Sequence, residues 1–337
     1  MAIVQRWPTC SAVLLVLMLG ACVQPTPEPD PDPEPAADLA TPGDLSAPPD
    51  LSGRVSGWSS GPRLLLERSE IAAAVLGTRI FVGGGFVNGT GTAPYSFEEL
   101  DAANLQTARW VRRADIPMAT LDHLGLAALG GKIYLSRDRN FFVYDPATDR
   151  WTRGKDLPLR RSAHVMVAAR GRLYVIGGVG DEPLVPLEYD PASETWTRRA
   201  PMSTEREHLA AAVYRDLIYV IGGRWAGRGN TNLVEEYDPA TDRWRTRRPM
   251  PTARGGLTAA TVGDRIHVTG GEAFNPNRVF PEHEIYNPSE DSWVTGPPLP
   301  TGRHGLASAG VDGRFFVIGG GRIAGLSFSD LTDIYTP

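Results

Sequence analysis

The sequence predicts an all-β chain folded as a six-bladed β-propeller and closed by a strand from its N-terminal side. Three observations carry that prediction. Six tryptophans, Trp58, Trp110, Trp151, Trp196, Trp244 and Trp293, recur in one phase. Ten or eleven residues after each stands a position that is Arg in five of six copies: Arg68, Leu121, Arg161, Arg206, Arg254 and Arg303. Sixteen residues further on comes a pair that is Gly-Gly in five of six: Gly84-Gly85, Arg137-Asp138, Gly177-Gly178, Gly222-Gly223, Gly270-Gly271 and Gly319-Gly320. A period of about 40 to 50 residues built from short strands is the mark of a propeller.

Each unit reads as four strands. Leu-Pro or Pro-Met before the Arg position, as in Leu157-Pro158 and Pro249-Met250, marks a loop. The small-residue run that follows, Leu209 to Val213 in unit four, suits an innermost strand, where blades crowd the axis. Next comes a β-branched and aromatic strand ending in the glycines, Leu217 to Gly223 in the same unit. Glycine there permits positive φ and close backbone approach. A third strand ends in Tyr144-Asp145-Pro146, Tyr189-Asp190-Pro191, Tyr237-Asp238-Pro239 or Tyr286-Asn287-Pro288, each favouring a tight turn. Trp follows that Tyr by seven residues in all four copies, so the two rings are expected to pack between adjacent blades.

The ends supply the closure. Arg303 to Tyr335 carries three strands, and the sequence stops at Pro337 before a further Trp. Trp58 has no Tyr-Asp-Pro upstream. Its strand is therefore expected to complete the last blade and remove a free sheet edge at the seam.

These features resemble the kelch repeat over residues 55–337: the double glycines, the Tyr-to-Trp spacing of seven and the Leu-Pro-x-x-Arg approach to the first strand. The resemblance implies a kelch-type propeller. It leaves function open, because kelch propellers serve both as protein-binding modules and as enzymes. Unit two departs from the pattern, with Leu121 for Arg and Arg137-Asp138 for the glycines.

Two segments precede the propeller. Residues 1–21 hold Arg6 and an apolar stretch from Ala12 to Leu19, a signal peptide too short to be a spanning helix. Leu19-Gly20-Ala21-Cys22 resembles a bacterial lipobox, so Cys22 is the expected lipidation site. In a Gram-negative cell, Val23 rather than Asp after it favours the outer membrane, on its periplasmic side or at the cell surface. Residues 22–54 read as a disordered linker: from Val23 to Gly53 there are nine prolines, seven acidic residues and no Lys or Arg. Extended as polyproline II at about 3.1 Å per residue, it reaches about 90 Å from the lipid.

Composition excludes several classes. Cys10 and Cys22 are the only cysteines, so the propeller has no disulfide, cysteine metal site or cysteine nucleophile. Nor can it carry the Cys-Tyr cross-link of galactose oxidase, a copper enzyme with kelch-like repeats. Residues 54–337 balance 33 Lys and Arg against 32 Asp and Glu, which leaves no nucleic-acid or membrane-surface footprint. No serine-triad, metalloprotease, phosphate-loop or calcium-loop motif occurs, so no cofactor, metal or catalytic set is expected, and the chain is expected to be a monomer.

Candidate binding residues follow from topology. In antiparallel blades the start of strand one and the end of strand two share a face, which kelch modules commonly use for ligands. Two positions after the ring Arg the copies read Glu70, His123, Ala163, His208, Gly256 and Gly305. Unit two is cut short after its pair, opening a notch lined by Asp122, His123, Arg137, Asp138 and Arg139. Unit four offers Arg206, Glu207, His208, Arg224, Trp225 and Arg228, with Trp225 out of the tryptophan phase, as an exposed binding anchor or as cover for its own loop. The ring arginines themselves either face a ligand or hydrogen-bond backbone carbonyls of neighbouring loops.

Two functions fit. The first is an envelope-anchored module binding a protein or glycan. The second is a carbohydrate-modifying enzyme similar to sialic acid mutarotases and epimerases, which are also six-bladed kelch propellers. That chemistry needs an acid or base beside an Arg that grips a carboxylate. Glu70, Glu207, His123 and His208 are candidates for the first role, and Arg206, Arg224 or Arg137 for the second.

Overall fold

The computed structural model describes residues 56–87 and 97–337. The expected signal, linker and Cys22 lie outside the described residues. Among the described residues there is no helix; six antiparallel sheets run in order around the chain. Their innermost strands are Ala72–Leu76, Gly125–Leu129, Val165–Ala169, Ala210–Tyr214, Gly255–Val262 and Ala307–Val311. Five sheets have four strands and the fifth blade adds Asn277–Val279.

Burial explains the strand sequences. Leu217–Ile221 is an unbroken apolar run because neighbouring blades cover both of its faces, leaving Ile218 to Ile221 buried. In Ala210–Tyr214 burial alternates, since one face looks onto the axis and only small side chains fit there.

The seam closes as expected. Gly57–Ser60 pairs antiparallel with Thr332–Thr336, placing Trp58 opposite Tyr335. Tyr-to-Trp spacing has the same origin in the other blades: Tyr144 opposes Trp151, Tyr189 opposes Trp196, Tyr237 opposes Trp244 and Tyr286 opposes Trp293 across the outer hairpin. Their ring centroids lie 4.8–5.1 Å apart.

Every tryptophan in phase also crosses to the blade before it. Each indole N–H donates to a loop carbonyl there: Trp58 to Pro297, Trp110 to Pro62, Trp151 to Ala114, Trp196 to Lys155, Trp244 to Ala200 and Trp293 to Arg248, at 2.8–3.0 Å. Trp110 is the most buried, at 3% exposure, in a cluster joining blade one to Phe316, Ile318 and Ile334 of blade six. Trp110→Ala is expected to cost about 3–5 kcal/mol, read as a lowered midpoint in urea unfolding of the full chain.

The double glycines have one steric reason each. A Cβ on Gly84 would lie 2.2 Å from the Leu121 carbonyl of the next blade, and one on Gly178 would lie 2.4 Å from the Ser162 carbonyl of its own. The second residue of the pair sends its N–H to the next blade's ring position. Gly85 bonds Leu121, Gly178 bonds Arg206, Gly223 bonds Arg254, Gly271 bonds Arg303 and Gly320 bonds Arg68, at 2.8–3.0 Å. Blade two keeps this bond without glycine. Asp138 takes positive φ, 53°, which aspartate tolerates, and donates to Arg161 at 2.7 Å.

The ring arginines are interior residues, not ligand-facing ones. Arg68, Arg161, Arg206, Arg254 and Arg303 are all 0% exposed. Four of them meet a carboxylate of their own blade: Arg68–Glu98 at 2.5 Å, Arg206–Glu235 at 2.6 Å, Arg254–Glu284 at 2.8 Å and Arg303–Asp333 at 2.6 Å. The carbonyls they reach also belong to their own blade, as with Gly222 and Leu233 for Arg206. The acid sits two positions before the strand-three Tyr or its equivalent. In blade two that position is Phe142 and the ring position is Leu121, so the charged pair has been replaced as a unit by two packed apolar side chains. Blade three has Leu187 there, and Arg161 bonds the carbonyls of Arg160, Glu182 and Val185 instead. Burial without a bonded carboxylate pushes Arg161 down to about 10.

Candidate functional site

Six residues, one per blade, stand where strand one begins, and all hold positive φ. They are Glu70, His123, Ala163, His208, Gly256 and Gly305, with φ between 49° and 68°. Their backbones form a closed circle of hydrogen bonds. Glu70 N–H donates to Gly305, Gly305 to Gly256, Gly256 to His208, His208 to Ala163, Ala163 to His123, and His123 back to Glu70. Four of the six are not glycine, so the left-handed backbone costs strain at each. The circle rims the axial channel, a cavity of about 150 Å³ lined by the innermost strands.

Three of these residues carry functional side chains and three are small. The small ones make room: a Cβ on Gly305 would lie 2.4 Å from Glu70 Oε1. Ala163 lets His123 and His208 meet across blade three, with their Nε2 atoms 3.0 Å apart. Glu70 Oε2 stands 3.6 Å from His123 Nε2 and 3.4 Å from His208 Nε2.

A second shell of charge surrounds them. Asp122 Oδ1 accepts from His123 Nδ1 at 2.7 Å and from Arg137 at 3.2 Å. Glu207 accepts from His208 Nδ1, and its other oxygen accepts from Arg224 Nε at 2.9 Å. Arg224 also reaches Glu272 at 2.6 Å. His304 completes the circuit, its Nδ1 3.4 Å from both Glu70 Oε1 and Glu272 Oε2, while its Nε2–H donates to the Ile323 carbonyl.

Burial, charge and hydrogen bonding set the protonation states. Burial works against ionising Glu70, but the neighbouring imidazoles of His208, His304 and His123 outweigh it and hold its carboxyl well below the usual range. Burial pushes His208 down despite the attraction of Glu70. It opposes charge on His304 too, yet the bond to Glu70 and the charge of Glu272 win and raise it. Glu70 is therefore held as a carboxylate by the imidazoles around it, His208 foremost and then His304 and His123.

The site thus unites Glu70, Asp122, His123, Arg137, Glu207, His208 and Arg224 from the sequence expectation. Arg206 is corrected: it lies wholly inside blade four, bonded to Glu235, because an Arg at that position braces its own sheet. Trp225 is half-buried rather than exposed, on the short ribbon Arg224–Trp225 paired with Gly229–Asn230. Arg228 lies exposed on the same ribbon's turn. Asp138 is on the rim, ion-paired with Arg137. Beside it, where blade two is short, Pro117 to Thr120, Asn140, Phe142 and Arg153 line a cavity of about 310 Å³. Glu272 and His304 were not foreseen. Glu272 follows its double glycine as Arg224 does in the adjacent blade, and opposite charges at that shared position were the available signal.

Apolar exposure is uneven. Of eight exposed large hydrophobic side chains among the described residues, Leu65, Leu66, Val179, Phe274, Ile323 and Leu326 lie in the connections of this one face, Val179 and Phe274 on short strand pairs within them, and only Val111 and Val294 lie on outer strands. Phe274 stacks against the Arg224 guanidinium, 5.1 Å from its ring centroid. A Cβ on Gly325 of the blade-six loop would touch the same ring.

Circle, blades and seam together define a kelch-repeat β-propeller. A family model described as the KLHDC2/KLHL20/DRC7 Kelch-repeats domain matches residues 117–321, more than half of the sequence, and the chain belongs to that kelch-repeat family. It is similar to Kelch-like protein terF of Aspergillus terreus (strain NIH 2624 / FGSC A1156), 34% identical over 109 residues. That match covers 27% of this chain and 24% of the relative, so the chain spans about a quarter of that protein. A solved structure described as "Structure of YjhT" superposes with a TM-score of 0.70 at 17% identity. It covers 82% of this chain and 100% of the other, a likeness of fold alone.

Proposed function

We propose that this chain is a cell-envelope kelch propeller, anchored by a lipid on Cys22, that binds an envelope or extracellular protein through the face around the axial circle. The observation that carries this reading is the concentration of exposed apolar side chains there. Phe274, Ile323 and Leu326 are 54%, 73% and 72% exposed, on the adjoining loops of blades five and six. Apolar groups with a charged surround are the common anatomy of a protein-docking surface.

A glycan partner and a mutarotase-like reaction draw less support. Among the arginines named for gripping a substrate carboxylate, Arg206 is buried, Arg137 is bonded to Asp122 and Asp138, and Arg224 is shared by Glu207 and Glu272. Each would have to leave a carboxylate to take another.

The test is cross-linking on intact cells with the full chain and with Phe274→Asp/Ile323→Asp/Leu326→Asp. The wild type is expected to give a discrete cross-linked partner, and the triple variant to lose it with an unchanged melting temperature. A partner retained by the triple variant would sink this reading of the face. A thermal-shift screen against sialic acids, uronic acids and cell-wall fragments covers the alternative. A ligand at a hundred times its Kd stabilises by about 2.7 kcal/mol, or roughly 5 °C or more for a domain of this size. Such a hit among acidic sugars would move the assignment to a glycan.

A further inference from the structure

The three side chains on the axis bring one metal-ligating atom each to a common point. His123 and His208 each turn Nδ1 to a carboxylate, Asp122 and Glu207, and point Nε2 at the axis; the tautomer with Nδ1–H bonded outward presents an Nε2 lone pair there. The two Nε2 atoms face one another at 3.0 Å, and Glu70 Oε2 joins them at 3.6 and 3.4 Å. Three atoms of metal-ligating kind converge, all within 4.8 Å of one another.

We propose that Glu70, His123 and His208 bind one divalent transition-metal ion of zinc's class, with a fourth position open to the axial channel. The spacing fits. Three donors each about 2.0–2.1 Å from one tetrahedral ion stand about 3.3 Å apart, the edge of that tetrahedron. The observed separations of 3.0, 3.4 and 3.6 Å bracket this value. Two imidazoles and a carboxylate select zinc, copper or nickel over magnesium or calcium, which prefer oxygen alone.

Its surroundings match as well. A carboxylate on the second ring nitrogen orients a metal-binding histidine and raises its basicity. Asp122 and Glu207 stand in that place, and Arg137 and Arg224 hold them in turn. His304 occupies the other oxygen of Glu70, which leaves Oε2 for the metal. No sequence motif announces the site, because His123 and His208 are 85 positions apart and only ring closure joins them. The inference stands apart from the protein-binding face, which needs no ion.

The experiment uses the untagged full chain, stripped with a chelator and titrated with Zn²⁺ by calorimetry and with Co²⁺ by visible absorption. About one ion per chain is expected, with the intense Co²⁺ bands of tetrahedral coordination. Glu70→Gln and His208→Gln should each weaken Zn²⁺ by 100-fold or more. Asp122→Asn, which touches no metal, should weaken it about 10–100-fold and keep the wild-type Co²⁺ spectrum. No saturable binding by the wild type would overturn the site, and so would unchanged affinity in Glu70→Gln/His208→Gln. If a variant fails to fold, X-ray absorption on zinc-loaded wild type decides: two imidazole nitrogens and a carboxylate oxygen uphold the site, and a first shell without imidazole overturns it.

Discussion

Arg206→Leu is expected to destabilise the propeller by about 3–5 kcal/mol, because it strands the Glu235 carboxylate inside blade four without its partner. Arg206 and Glu235 are both essentially unexposed and 2.6 Å apart. Glu235 also accepts the Ser203 N–H, so the pair holds the loop that leads into the blade. The molecule contains its own control. Blade two carries Leu121 and Phe142 at these positions and packs them in one cluster. Arg206→Leu/Glu235→Phe should therefore recover most of the loss, short of the bond to Ser203. Urea unfolding of both single variants and the double closes the cycle. A double variant as unstable as Arg206→Leu would mean that blade two tolerates its apolar pair for reasons peculiar to that blade.

Acid should weaken the fold well before its carboxylates protonate. His164 and His267 are pushed down to about 3 and His283 to about 4, chiefly by burial. His267 and His283 share a hydrogen bond of 2.9 Å inside the seam blades, and His164 bonds Ser136 at 2.8 Å. All three are neutral when folded, whereas an unfolded histidine titrates near 6.5. Below that pH the unfolded state gains protons that the folded state refuses, so stability falls as pH falls toward the folded values. By about pH 5 the loss is about 2 kcal/mol for each histidine. His304 has the opposite sign: its raised value contributes stability below about pH 6.5 that is lost as pH rises through the folded value. His208, also pushed down by burial, joins the first three against His304, so the midpoint of urea unfolding should drop clearly between about pH 7 and pH 5. A flat profile there would show that the buried rings gain protons without unfolding.

The blades were legible because every copy repeats one physical task. Trp crosses to the preceding blade, Gly-Gly clears two carbonyls, and Tyr turns inward opposite Trp. Trp58 without an upstream Tyr-Asp-Pro was enough to place the seam. The buried acids were missed because the Arg ring was read alone: Glu98, Glu235, Glu284 and Asp333 vary in identity and lie some 30 residues downstream of their arginines. The axial site was half visible. Position within the repeat singled out Glu70, His123 and His208, while spacing cannot show that Ala163, Gly256 and Gly305 are small so that those three can meet. Glu272 and His304 enter only through the closed geometry.

The seam also has a consequence in time. Ser59 hydrogen-bonds Ile334, a partner 275 positions later in the chain. At a synthesis rate of about 5–20 residues per second, the strand of Trp58 waits on the order of tens of seconds for the strand it belongs to. Until then its indole lacks Tyr335, and the circle of backbone bonds lacks its last member. Inner blades can assemble hairpin by hairpin as they emerge, but the ring closes only when Thr332–Thr336 pairs with Gly57–Ser60. Until that last strand is made, the growing fold carries an unmated sheet edge at both of its ends.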